Sequence, residues 1–188
     1  MAKTVSERIG EFYYHYPNIA AIVTAQAKGR KNAMAVAWHM PVSSRPPLYG
    51  IAVSPKRFTG ELITESKQFG VNFLPFAEAK LVALVGGSKG WEVDKFQKFN
   101  IATDKSLKIA VPILKAAYAA YECQLVDDRE YGDHRWFIGE IVAVHWQKDA
   151  MTPGGVVDLA KISPILYLGN NLYLTPAKDA ISYIDREV

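Results

Sequence analysis

The stretch Ser54-Pro55-Lys56-Arg57-Phe58-Thr59 carries the densest chemistry in this chain. It follows a short apolar run, residues 48–53, and precedes a predicted helix over 60–66, in which Leu62 and Ile63 face inward and Thr59 is the expected N-cap. Hydroxyls, a guanidinium and the free N–H groups of a helix start are the donors that an anion such as phosphate needs. The same residues also suit a solvated turn with a cap, and local chemistry leaves both readings open.

Other chemistries find no support. Gly86-Gly87-Ser88-Lys89-Gly90 lacks the GxxxxGK[ST] spacing of a P-loop. His15, His39 and His145 have no metal-ligand spacing and there is no HExxH, so no metal site is expected. No GxSxG elbow and no GxGxxG fingerprint is present.

The elements that must position the anion-binding turn can be read from periodicity. Over 33–40, Ala33, Ala35, Ala37 and His39 alternate with Met34, Val36, Trp38 and Met40, which predicts one continuous strand. Its bulky face can fill a core, and its small face leaves room for something flat or for a second backbone. Pro46-Pro47 marks a turn before the next strand, 48–53. Further strands are expected over 19–24, 69–74, 116–126 and 135–146, the last two joined by a polar loop at 127–133. A hairpin over 165–175 turns at Gly169-Asn170-Asn171. Short helices are expected over 77–85 and 94–99, and the polar tail 176–188 is expected to fray or to cross to a partner.

With 188 residues, 49% hydrophobic and 22% charged, the sequence predicts one globular domain spanning 1–188. A net charge of +3 without a dense basic run suits a small anionic ligand and argues against nucleic acid. No apolar run approaches the ~20 residues of a membrane helix. Cys123 is the single cysteine, so no intramolecular disulfide forms, and with no signal-like N-terminus the expected location is cytoplasmic.

Asn32, Trp38, Pro41-Val42-Ser43, Pro46-Pro47 and Ser54…Arg57-Phe58-Thr59, in that order, resemble the flavin reductase-like family, which includes the flavoredoxins. Ser88…Asp94-Lys95-Phe96 and Gly132-Asp133-His134 match further segments of that family. The resemblance implies a mainly β fold, a Greek-key-like split β-barrel with a few short peripheral helices, and bound FMN. It also implies NAD(P)H as electron donor, and a homodimer in which both chains build each flavin slot. A partner redox protein could accept the electrons.

By the same resemblance, Ser54, Arg57 and Thr59 hold the phosphate, and Asn32 bonds the ring or ribityl chain. His39, Met40, Phe58 and Ser88 join the contact set. Lys95 would stabilise negative charge at the N1–C2 edge of the reduced ring; a surface lysine on a helix is its plain alternative. Trp38 and Tyr167 would line the flavin slot, or else be core residues. His134 would orient nicotinamide or donate to flavin, since hydride transfer needs no protein base. The expected activity is that of an NAD(P)H:flavin oxidoreductase, with a flavoredoxin-like electron carrier as the alternative.

Overall fold

The structure, a computed structural model, describes residues 2–10, 12–182 and 184. Twelve strands and three α-helices follow in chain order. The first half comprises β1 (Asn18–Ile19), β2 (Ala21–Ala27), β3 (Arg30–Val36), β4 (His39–Ser44), β5 (Pro47–Val53), α1 (Phe58–Ser66), β6 (Gln68–Phe73) and α2 (Ala79–Gly86). Then come α3 (Lys95–Lys98), β7 (Thr103–Asp104), β8 (Ile113–Leu114), β9 (Ala119–Tyr131), β10 (His134–Trp146), β11 (Leu166–Gly169) and β12 (Leu172–Leu174).

Seven strands form one antiparallel sheet in the order β3-β2-β6-β9-β10-β5-β4. Its two edge strands, β3 and β4, are consecutive in the chain and separated only by Ala37 and Trp38. A chain that passes from one edge of a seven-stranded sheet to the other in two residues requires the sheet to roll until its edges meet there. The Ala52 N–H donates to the Trp38 carbonyl at 2.9 Å, fixing the crossing to β5. Beyond that point β3 and β4 do not pair, so the barrel is split rather than closed. The single strand expected over 33–40 is therefore two strands, because its residues serve opposite edges.

Inside the roll, Ile51, Leu62, Ile63, Phe69 and Phe137 are buried in one cluster, with α1 contributing Leu62 and Ile63. Gly139 is required here: a Cβ would lie 2.7 Å from the Phe69 ring. A second cluster, with Ile22, Leu74, Val82, Val85 and Phe96, seats α2 and α3 against the outer side of β2 and β3. Glu122, fully buried, fixes the 105–111 segment by accepting from the backbone N–H groups of Leu107, Lys108 and Ile109 and pairing with His145.

The β9–β10 hairpin differs from expectation. Its strands run through the polar stretch, and only Gly132-Asp133 turns, with Gly132 at φ +62°. Cross-strand pairing sustains the strands in solvent, Arg135 Nε donating to Asp128 at 2.8 Å. The hairpin at Gly169–Asn171 forms as the sequence indicates, with positive φ at all three residues. No helix among the described residues is long and apolar enough to cross a membrane. Residues 176–182 form no helix or strand; 183 and 185–188 of the tail lie outside the described residues.

Candidate functional site

Where the sheet edges part, a cavity of about 680 Å³ opens beside Trp38. Ala35 and Ala37 line it, so the small residues of the 33–40 stretch do leave room for a flat group. Met34 and Val36 also reach it, because a free edge strand can be approached from either face. Ser54 and Arg57 line the cavity from the turn after β5, and Trp38, His134 and Tyr167 supply aromatic wall.

The turn from β5 into α1 is tight: the Arg57 N–H donates to the Ser54 carbonyl at 2.9 Å. Arg57, not Thr59, is the N-cap residue, and no side chain caps the helix start. The Gly60 N–H turns back to the Arg57 carbonyl at 3.0 Å, and with no side-chain cap the helix start keeps partial positive charge. Arg57 is exposed and forms no salt bridge among the described residues. Behind this corner, Lys95 is 3% exposed and donates to the carbonyls of Ala33 at 2.9 Å and Val85 at 2.8 Å. Burial first, and the nearby Arg57 guanidinium second, lower its pKa to about 8. Two cations and an uncapped helix start in one corner repel one another and favour an anion.

The remaining sequence candidates lie off the cavity. Thr59 is fully buried and its hydroxyl accepts from Asn32 Nδ2 at 2.8 Å, tying β3 to α1. Asn32 is covered by Gly90, where a Cβ would come within 2.5 Å of its amide oxygen. Phe58 is buried against Trp91, ring centroids 4.4 Å apart. His39 faces the other way, bonded to the Tyr49 hydroxyl at 2.7 Å and the Ile19 carbonyl at 2.9 Å; burial lowers its pKa against the pull of the Ile19 bond. Met40 is 53% exposed on β4, and the Ser88 hydroxyl donates to Leu84 in the last turns of α2. Lys95 gives two of its three donors to backbone carbonyls and does not line the cavity.

His134 begins β10 at the mouth of the long hairpin, with its ring centroid 4.6 Å from that of Trp38. Its Nδ1 lies 2.7 Å from Asp133 Oδ1, and this hydrogen bond holds the Asp133 carboxyl below its ordinary pKa. With Nδ1 engaged by a carboxylate, Nε2 is the ring's open end. Tyr13, Tyr14 and Tyr16 also line the cavity, and sequence reasoning passed over them. The only signal was their clustering in Tyr-Tyr-His-Tyr-Pro, since nothing local ties that segment to Trp38.

The sequence profile of the flavin reductase like domain matches residues 13–173. A protein of Aeropyrum pernix is 34% identical over 170 residues, 86% of this chain, and this chain spans 64% of that relative's length. A ferric-chelate reductase (NAD(P)H) of Archaeoglobus fulgidus is 28% identical over 142 residues, covering 74% of this chain and 82% of that one. Among solved structures, an FMN-binding protein from Thermus thermophilus with bound cyclohexenone superposes with a TM-score of 0.86 at 33% identity, covering 97% of this chain and 99% of that one. The rolled, incompletely closed sheet and these matches agree: the chain belongs to the flavin reductase-like family.

Proposed function

We propose that this protein is an FMN-binding oxidoreductase of the NAD(P)H:flavin type. The observation that carries the reading is the cationic corner, formed by Arg57, Lys95 and the uncapped start of α1, at the side of an aromatic-walled cavity. A phosphate answers the repulsion there, and Ser54 and Arg57 are the side chains in reach of it. Lys95 acts from behind as a fixed positive charge rather than at the ring, because its hydrogen bonds hold it to Ala33 and Val85. Ala35 and Ala37 provide the flat floor and Trp38 and Tyr167 the walls for a tricyclic ring. When bound, FMN accepts hydride from a nicotinamide and passes electrons onward. His134, its Nδ1 anchored by Asp133, presents Nε2 to orient the nicotinamide amide.

Similarity to the Archaeoglobus reductase supports a nicotinamide donor, and the cyclohexenone bound by the Thermus relative makes a small cyclic carbonyl compound the acceptor to try first. The chain acts as a homodimer. Met40 and Val42 stand 53% and 48% exposed on β4, beside Trp136 and Ile138 over Gly50, an apolar sheet face suited to a second copy.

The test is the absorbance spectrum of the purified protein, followed anaerobically as NADH and then NADPH is added. A flavin band that bleaches with either nucleotide supports the reading. A protein that neither carries nor takes up FMN refutes it, and one that holds FMN but does not bleach refutes the enzymatic part. Light scattering that reports a monomer with FMN bound refutes the dimer.

A further inference from the structure

We infer that Tyr16 is the specificity-determining residue of the cavity, donating its phenolic hydrogen to the carbonyl oxygen of a planar electron acceptor; this rests on the flavin reading above. Trp38 Nε1–H donates to the Tyr16 hydroxyl oxygen at 2.9 Å, so this oxygen is held in place as an acceptor. The Tyr16 hydrogen itself has no acceptor among the described residues, and Tyr16 lines the cavity. A phenol that already accepts from an indole keeps its O–H free to donate to a ligand, and the bond it accepts strengthens the bond it gives.

The surroundings specify what it donates to. The Tyr16 ring lies 6.0 Å from Tyr167 and 5.4 Å from Tyr13, and the Trp38 ring lies 4.6 Å from His134. Aromatic walls at these separations favour a flat, conjugated guest. Among the described residues no carboxylate lines the cavity, which disfavours amines and other cations, and the lining guanidinium, Arg57, belongs to the phosphate corner. A neutral planar molecule with an exposed acceptor oxygen remains: an aromatic aldehyde, a cyclic enone or a quinone. The Tyr13–Tyr16 segment has no strand partner, the first strand beginning only at Asn18, so Tyr16 is located chiefly by its contacts with Trp38 and its ring neighbours. Recognition of the acceptor is thereby built onto a segment separate from the phosphate corner.

The test compares two probes of like size on FMN-loaded protein, para-hydroxybenzaldehyde and para-cresol, with Kd read from perturbation of the flavin absorbance. The wild type should prefer the aldehyde by about 2- to 12-fold, the range one net hydrogen bond supplies. Tyr16→Phe should erase that preference while FMN occupancy is kept. Trp38→Phe, which removes the indole donor and shrinks that wall to a single ring, should reduce it. Equal affinity of the two probes in the wild type, or an undiminished preference in Tyr16→Phe, overturns the inference while leaving FMN binding intact. A wild type that takes up no FMN removes the functional reading itself, and this inference with it.

Discussion

Between neutral and strongly alkaline pH, the wild-type chain should gain stability relative to a Lys95→Met variant. Lys95 is 3% exposed, and its ammonium is held at a pKa of about 8 against an ordinary 10.5, first by burial and then by Arg57. At about 1.4 kcal/mol for each pH unit, that gap amounts to about 3 kcal/mol. The sign follows from proton counting. Between about 8 and 10.5 the unfolded chain holds a proton that the folded chain has released, so stability rises with pH through that window. Below about 8 both forms are charged and the cost is borne in full; above 10.5 it is gone. The neutral amine still donates to the Ala33 and Val85 carbonyls, so no polar group is orphaned on the way. Urea denaturation at closely spaced pH values measures the effect, and subtracting the Lys95→Met curve removes all other titrating groups. The same charge should assist FMN: wild-type affinity should weaken above a pH of about 8, by at most about tenfold per unit, with a flat profile in Lys95→Met. Parallel stability curves for the two proteins would refute a buried, penalised ammonium, and a flat wild-type FMN profile would separate it from the phosphate corner.

Other substitutions examine separate parts of the site and the fold. Arg57→Ala should weaken FMN by about one to two decades in Kd, the worth of one charge-assisted hydrogen bond; an unchanged fluorescence titration would remove Arg57 from the corner. His134→Ala should retain FMN but slow its reduction by nicotinamide in single-turnover stopped flow, and an unaltered rate would exclude His134 from that step. Glu122→Gln should destabilise the chain by about 3–5 kcal/mol, since it removes the buried charge and turns one acceptor oxygen into a donor facing either the Lys108 and Ile109 N–H groups or the Leu107 N–H and His145. Burial pushes the Glu122 pKa up, but those hydrogen bonds prevail and it ends below 4.5. Its contribution is therefore present above the ordinary carboxylate value and lost as pH falls through the lowered one, an acid limb that the Gln variant should lack in denaturation curves.

Sequence alone was enough for the features set by neighbours in the chain. The Ser54–Thr59 turn before a helix, the short helix that follows Asp94, and the positive-φ turn at Gly169–Asn171 depend on local donors and allowed dihedrals, and all could be read directly. The small residues Ala35 and Ala37 pointed to space for a flat group because strand alternation is also local. Tertiary structure decided what that space contains. Trp38 lines the cavity because it carries the chain between two sheet edges, a position set by the order of seven strands and not by residue parity. Asn32 and Thr59, which look like ligand donors in the sequence, are buried and bonded to each other once β3 packs on α1. Lys95 reads as a surface lysine or a ring contact; it is buried and bonded to carbonyls 62 and 10 residues away, off the cavity lining. Tyr16 enters the site through Trp38, 22 positions on, and through the still more distant Tyr167. Propensity and spacing specify the short-range elements, whereas the roll of the sheet determines which polar groups meet each other and which are left for a ligand.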